Sequence, residues 1–497
     1  MVIDRMAIRA KNTILINDFR AGELTPDLDA RVDLKDYYRG CKILENAMPI
    51  IEGGVARVPG TYYVRPVKTD EGWCLRVTKS GTGTGIVTSD LIPGINCGSD
   101  CYVFFVDGIT VVLTATADAG SSFVMWSGDG TGAVTRSVFM DGDKVVNAEF
   151  IIRTNLDFVP IDMCTDGTYL YIVGYKYYAA TGNYVCKAVK RRVSDLGEVD
   201  SVEYDSVVNS TIEYYWSIKH EAGFLYIAGI GLATGTTRQI GIVHKRPTSN
   251  LGTLTWSYAY DAGGSTHAWF RDIDLDTDYV YAVGDSPPNT SVLKVKLNKS
   301  NGSLVWSRNN TISVAFSVNN FGDSLYLGKN WTGLMFLEKV NKINPDTYTE
   351  KNYAVSGGLF KGMNDGTSLY LGGIQPSTGD RRGYTQKTLI SDLNIIWGLT
   401  SNYGSTVNIL EQTNKVIKHS DGVIYTSGIV QETPVGIVVI EKLTNDGVLS
   451  LSKKFSGWID SAIVVLGDYV YLACNDQVNY PNVYCVERRL ASTLEIG

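Results

Sequence analysis

Residues 166–174 read DGTYLYIVG: a turn pair, a strand alternating about Tyr171, then Gly174. The pattern returns as AGFLYIAG at 222–229, TDYVYAVG at 277–284, FGDSLYLG at 321–328, DGTSLYLGG at 365–373, DGVIYTSG at 421–428 and LGDYVYLA at 466–473. Aligned on the central tyrosine, the copies set Tyr171, Tyr226, Tyr281, Tyr326, Tyr370, Tyr425 and Tyr471 in register, 55, 55, 45, 44, 55 and 46 residues apart. Period-2 alternation bounded by Gly, Asp and Asn marks a half-buried antiparallel strand.

Most copies continue with an apolar strand carrying basic residues, as in AVKRR at 188–192, VHKR at 243–246, LKVKL at 293–297, LEKV at 337–340, VIEKL at 439–443 and VERR at 486–489. Three then add a turn and a strand ending in Trp: Trp256, Trp306 and Trp397. A short apolar strand precedes each tyrosine motif. About four strands per roughly 40–50 residues is the period of a propeller blade, and seven copies predict seven blades. Such sheets cannot bury both faces alone, but stacked radially each covers its neighbour. The Tyr and Trp residues are expected to pack between blades. The fold class is therefore all-β: a seven-bladed β-propeller over 153–497, preceded by a small β-domain over 71–152 and an extended N-terminal docking segment over 1–70.

With 44 % hydrophobic and 20 % charged residues, the chain reads as globular rather than disordered. No run approaches the roughly 18 apolar residues of a membrane span, and the first residues lack a signal-peptide pattern. Synthesis and assembly in the cytoplasm are expected. A net charge of −7 argues against gripping nucleic acid by its phosphates; DNA is expected only to pass. The eight cysteines contain no CxxC pair. Cys97 and Cys101 could bridge across a turn, and Cys474 and Cys485 fall on two arms of a hairpin. The reading taken is free thiols, because Cys often serves as a small buried apolar residue. Four histidines, His220, His244, His267 and His419, are scattered over the repeat. Asp272, Asp274, Asp276 and Asp278 alternate, but without the Gly and closing Glu of a calcium loop they read as a solvated turn. With no catalytic motif of the hydrolase, zinc or nucleotide-binding kinds, no catalytic residue, metal or cofactor is expected, and the chain is read as not an enzyme.

Residues 77–150 have a different character. The elements are Gly94, Cys97, Gly98, Cys101, Gly108, LTATADAGSSF at 113–123, WSGDG at 126–130 and VNAEF at 146–150. This pattern closely resembles the internalin-type bacterial repeat domain, a small β-module of surface and secreted proteins. Family members often carry a further Cys pair beyond the position of Gly130, and this chain lacks it. The resemblance implies a spacer or adhesive element, with Trp126 as a core anchor.

Residues 17–65 read NDFRAGELTPDLDARVDLKDYYRGCKILENAMPIIEGGVARVPGTYYVR. Charged pieces alternate with Gly and Pro turns, and residues 33–46 have the spacing of a short amphipathic helix weakened by Gly40. Such a segment buries little by itself and is expected to dock on another surface. It resembles the N-terminus of tail nozzle proteins (the tail tubular protein B type) of short-tailed bacteriophages. Phe19, Gly22, Glu23, Leu24, Arg31, Asp33, Leu34, Tyr37, Asn46, Arg57 and Pro59 carry the match and are the candidate docking residues. The resemblance implies a virion tail protein, a ring of six copies, contact with a tail adaptor and a role in retaining and conducting DNA. Nozzle proteins are typically longer and interleave several β-domains, so a side-attached paralogue stays open beside a short nozzle. The alternative function is receptor binding or adhesion through the propeller and the β-module, with possible host surface contact. An enzyme acting on surface polysaccharide ranks last.

Overall fold

The computed structural model describes residues 72–98, 101–206, 212–263, 266–286, 291–331, 334–356, 358–377, 380–401, 410–431, 436–456, 458–476 and 483–491, with four short strands before residue 58. All regular structure among the described residues is β-strand. The chain forms two compact bodies, residues 1–75 with 104–109 and 140–144, and residues 76–103 with 110–139 and 145–497. In the first, Gly22–Glu23 pairs in parallel with Gly40–Cys41, and Ala47–Pro49 pairs antiparallel with Val55–Arg57. Gly40 and Cys41 are thus strand, which corrects the helix expected through them. The flexible backbone of Gly40 disfavours a helix that would bury little in any case.

In the second body each repeat forms its own antiparallel set of strands. In repeat 1, Val159–Thr165, Tyr169–Tyr178, Asn183–Arg192 and Glu198–Tyr204 form one four-stranded sheet in chain order. The sheets opened by Tyr214–Glu221, Trp269–Leu275 and Val314–Phe321 repeat this order. So do the strand sets opened by Gly358–Asn364 and Leu410–Lys418, which are joined by the single parallel pair Arg381–Leu410. Repeat 7 has three strands of its own, Trp458–Leu466, Tyr469–Asp476 and Val483–Leu490. Its fourth place is filled by Lys144–Leu156, which precedes repeat 1 in the chain and pairs Ile152 with Arg488 through Leu156 with Tyr484. The first strand of each repeat packs on the first strand of the next, and that of repeat 7 packs on that of repeat 1.

Two recurring glycines have distinct causes. Gly167, Gly223, Gly366 and Gly422 sit in the turn between first and second strands at φ of 90°, 79°, 89° and 87°, a region that side chains with a Cβ rarely enter. The glycine that closes several of the motifs serves a bulge. First strands slip register near their start, as at Pro160/Asp162, Tyr215/Ser217 and Phe270/Asp272, leaving an extra residue that bends the strand. The opposing glycine makes room: a Cβ on Gly174, Gly229 or Gly284 would lie 1.8, 2.2 or 1.9 Å from the carbonyl oxygen of Val159, Tyr214 or Trp269. Gly284→Ala is therefore expected to cost about 1–3 kcal/mol as an overpacked site, read as a lowered denaturation midpoint. An unchanged midpoint would show that the bulge yields freely.

The tyrosine register and the basic strand turn out to be one device. Tyr171, Tyr226, Tyr281, Tyr326, Tyr370, Tyr425 and Tyr471 are all buried. Directly opposite them on the third strand stand Lys190, Lys245, Lys296, Lys339, Lys387, Lys442 and Arg488. Each lysine lies near its tyrosine ring, with the stem covering apolar surface and the ammonium kept at a polar end. Several of these ammonium groups reach into the following repeat. Lys190 donates to Thr248 O at 2.8 Å, Lys245 to Lys299 O at 3.0 Å, Lys296 to Lys342 O at 3.3 Å, Lys387 to Asn445 O at 3.3 Å and Lys442 to Ala491 O at 3.4 Å. Arg488 of repeat 7 donates to Ser194 O of repeat 1 at 3.0 Å. The fourth-strand tryptophans add a second donor: Trp256, Trp306 and Trp397 give their indole N–H to Lys299 O, Lys342 O and Asn445 O at 3.1, 3.0 and 3.1 Å.

Ahead of the repeats, Gly85–Ser89, Thr110–Ala117 and Thr135–Phe139 form a three-stranded antiparallel sheet. Ser121–Gly128 pairs with the first half of Lys144–Leu156, so that one strand crosses residue 152 and belongs to both the module and repeat 7. Trp126 is buried and packs on Phe123, as expected of a core anchor. Cys97 and Cys101 form a disulfide, which corrects the free-thiol reading for that pair: their Cα atoms lie 4.2 Å apart, close enough to bridge. Cys74, Cys164, Cys186, Cys474 and Cys485 carry reduced thiols, and Cys474 Sγ lies 4.0 Å from Cys485 Sγ across the paired strands.

Candidate functional site

The first strands bring together charges that the sequence scatters over 253 residues. Asp162 follows the bulge of repeat 1 and is buried. Lys415 of repeat 6 donates to Asp162 Oδ1 at 2.6 Å and to Met163 O at 3.0 Å. Lys361 of repeat 5 donates to Asp162 Oδ2 at 2.8 Å and to Trp216 O of repeat 2 at 2.6 Å. The same carboxylate accepts the Ile218 N–H at 3.1 Å. Ser217 Oγ lies 3.2 Å from Asp162 Oδ2 and 2.7 Å from Asp272 Oδ1, and Asp272 Oδ2 accepts the Val318 N–H at 2.9 Å. Groups from repeats 1, 2, 3, 4, 5 and 6 thus meet in one cluster.

Burial opposes ionisation of Asp162, but the charges and hydrogen bonds of Lys361 and Lys415 outweigh it and hold the carboxyl well below its usual range. Asp272 goes the other way: burial raises it, and Lys361 and Lys219 only partly offset this. Both oxygens of Asp162 are engaged by ammonium groups. The arrangement therefore ties first strands together and leaves that carboxylate poorly placed to receive a substrate. Asp272 and Asp274 lie within Trp269–Leu275, and Asp272 is buried, so they are not the solvated turn read from sequence. The alternation there is strand alternation, and only Asp276 and Asp278 fall in the turn, where Asp276 accepts the N–H groups of Asp278 and Tyr279 at 3.1 and 2.8 Å.

At the end of the sheets where the first strands begin, aromatic rings run across four repeats. Tyr177 contacts Tyr184 at 4.8 Å between centroids, Tyr184 and Tyr175 contact Tyr214 at 5.6 and 4.4 Å, and Tyr214 contacts Trp216 at 6.2 Å. Arg271 then lies 5.5, 5.0 and 5.1 Å from the rings of Trp216, Trp269 and Phe316. Its guanidinium is held by Asp285, with Nε to Oδ1 at 2.5 Å. Neither cluster was singled out from sequence. Their signal is positional, aromatic or charged residues on several first strands and, in repeat 1, on the second and third strands, and it becomes visible only once the bulge fixes which side chain faces where.

The histidines do not converge. His220 stacks on Tyr171 at 5.8 Å, His244 is buried against Tyr215 with Nδ1 2.7 Å from the phenol oxygen, His267 Nδ1 accepts the Gln239 N–H at 3.0 Å, and His419 pairs with Asp421 at 3.1 Å. Burial drives His244 down to about 3, which keeps it neutral. Among the described residues no group of three or more His, Cys, Asp or Glu is placed to hold a metal ion. Of the candidate docking residues, Phe19, Leu24, Arg31, Asp33, Leu34, Tyr37, Asn46 and Pro59 lie outside the described residues. Gly22 and Glu23 pair with Gly40 and Cys41, and Arg57 pairs with Ala47.

Residues 95–153 match the family described as the divergent InlB B-repeat domain, over the stretch where the sequence resembles an internalin-type module. No curated protein matches the chain. Among solved structures, it is similar to the WD40 repeats of RRP9, with 9 % identity over 68 % of this chain and 96 % of that one and a TM-score of 0.46. It is similar to the β-propeller domain of Cps50 (Swd1) from Myceliophteria thermophila, with 10 % identity over 66 % and 98 % and a TM-score of 0.42. It is also similar to the computationally designed protein Ika8, with 8 % identity over 68 % and 97 % and a TM-score of 0.40.

Proposed function

We propose that the chain is a structural component of a bacteriophage tail, in which a closed seven-bladed propeller is a rigid wall element and the N-terminal segment docks it to the assembly. The observation that carries the tail assignment is the density of the nozzle-like pattern from Asn17 to Arg65. Closure into seven blades is supported by Arg488, which makes to repeat 1 the link that lysines make between other successive repeats, and by the early strand that completes repeat 7. A sheet stack closed this way resists opening because each sheet is covered by its neighbours and only short edges remain.

In this reading six copies surround the tail axis, the docking segment meets the adaptor above, and the internalin-type module is a spacer. DNA would pass between copies of the chain rather than through one propeller, because the Asp162 cluster fills the middle of the first strands. No catalysis is assigned. Assembly takes place in the host cytoplasm and the mature location is the virion. The test is the mass of the purified protein by light scattering together with class averages of the particle that carries it. A six-fold ring centred on a tail axis is expected, and a monomer or trimer at the side or tip would overturn the nozzle assignment.

A further inference from the structure

The run of rings from Tyr177 to Trp216, continued through Arg271 to Trp269 and Phe316, is not explained by core packing. Tyr177 and Tyr178 are 50 % and 37 % exposed, and Tyr175, Tyr184, Tyr214, Trp216, Trp269 and Phe316 are half-buried, whereas the repeat tyrosines are sealed inside. The rings belong to four different sheets: Tyr177, Tyr184, Tyr214 and Trp216 touch in turn, and Arg271 lies against Trp216, Trp269 and Phe316. Large rigid amphipathic rings in contact with solvent at one place are a binding surface rather than a packing remainder.

The charges around the run say what it would take. Lys176 Nζ lies 2.6 Å from Asp157 and 3.1 Å from Glu203, and Lys187 lies 3.1 Å from Glu203. Tyr178 donates to Glu203 at 2.5 Å. Arg271 is held by Asp285, and the Trp269 indole donates to Gln239 Oε1. Every named charge is already neutralised by a neighbour, so an anionic or cationic ligand gains no Coulomb energy here. What stays available is flat aromatic surface edged by hydrogen-bonding groups held in fixed orientation. That combination suits a ligand with apolar ring faces and hydroxyl edges.

We propose that this face binds a neutral carbohydrate chain, whose sugar rings lay their C–H faces on Tyr177, Tyr214 and Trp216 while their hydroxyls meet the edges at Glu203 and Arg271. A protein partner is the competing occupant. Tyr, Trp and Arg are also enriched at protein interfaces, so loss of self-association is one arm of the test. The inference stands on these ring contacts and does not depend on the virion reading.

The test uses the full chain on an array of defined oligosaccharides, neutral ones built from hexoses, deoxyhexoses and N-acetylhexosamines beside acidic ones. At least one neutral chain is expected to bind, and Tyr177→Ala and Trp216→Ala are each expected to weaken it tenfold or more. Tyr177 is exposed enough that its alanine variant should keep the parent unfolding midpoint, which separates lost binding from lost folding. Absence of binding to any neutral member, binding confined to acidic chains, or binding that survives both substitutions would overturn the proposal. So would a Tyr177→Ala variant that loses self-association in sedimentation while the parent binds no glycan, which would assign the face to a protein.

Discussion

Glu338→Gln is expected to lower stability by about 3–5 kcal/mol, the cost of leaving buried charge without its partner. Glu338 is fully buried, with Lys294 Nζ 2.7 Å from one oxygen and Lys329 Nζ 2.8 Å from the other. The two lysines are 0 % and 1 % exposed. Burial alone would raise the Glu338 carboxyl, yet the two ammonium groups outweigh it and hold it below its usual range. Glutamine keeps the volume but removes the charge, so Lys294 loses the carboxylate it is paired with and Lys329 is left with Glu350 at the edge. The group links the third strand of repeat 3 to the second and third strands of repeat 4, so the loss should fall on the seam between two sheets. Replacing all three residues by Met is expected to be neutral or to stabilise by about 1–4 kcal/mol, because the desolvation cost leaves with the charges. Denaturant midpoints of the parent, the single and the triple variant check both. A Glu338→Gln protein within about 1 kcal/mol of the parent would mean that water reaches the site.

The repeat was legible because its causes are local. A turn needing positive φ, an alternating strand and a glycine opposite a bulge each leave a mark within a short stretch, and the motifs from Tyr171 through Tyr471 repeat those marks along the chain. The basic strand was legible as a pattern but not as a contact: nothing at Lys190 says that its ammonium ends on Thr248 O, 58 residues away. The fourth strand of repeat 7 was hidden for a stronger reason. Lys144–Leu156 ends the module in sequence and pairs with Val483–Leu490 only because the chain returns to its start. No window of sequence contains that event. The Cys97–Cys101 bridge was one of two readings and was set aside for the commoner case of free thiols; the 4.2 Å separation of the Cα atoms decided it. Asp272 was misread because a strand and a polar turn can share the same alternation of carboxylates. The N-terminal pattern is the reverse case, a dense resemblance without a periodic or geometric cause of its own.

The Asp162 cluster draws on six of the seven repeats, and Asp162→Asn tests whether it acts as an ionic tie. Two ammonium groups, Lys361 and Lys415, would lose their shared anion while the side-chain shape is kept. The lysines are 18 % and 20 % exposed, so some water screens them. The expected loss is accordingly nearer the lower edge of the buried-pair range, about 3 kcal/mol. The effect has a pH signature with a fixed sign. The carboxyl is depressed in the folded chain, so its contribution is complete above the unfolded value, about 3.9. It is lost as pH falls through the lower folded value. The stability gap between the parent and Asp162→Asn should therefore be flat from neutral pH down to about 4 and narrow below it. Asp272 works against folding when ionised, because its carboxyl is raised, so Asp272→Asn should cost less at neutral pH than Asp162→Asn. Unfolding curves of the three proteins at stepped pH measure this directly. A gap that stays constant down to the lowest accessible pH would show that the Asp162→Asn protein fails through shape or hydrogen bonding, and that the cluster is held by geometry rather than charge.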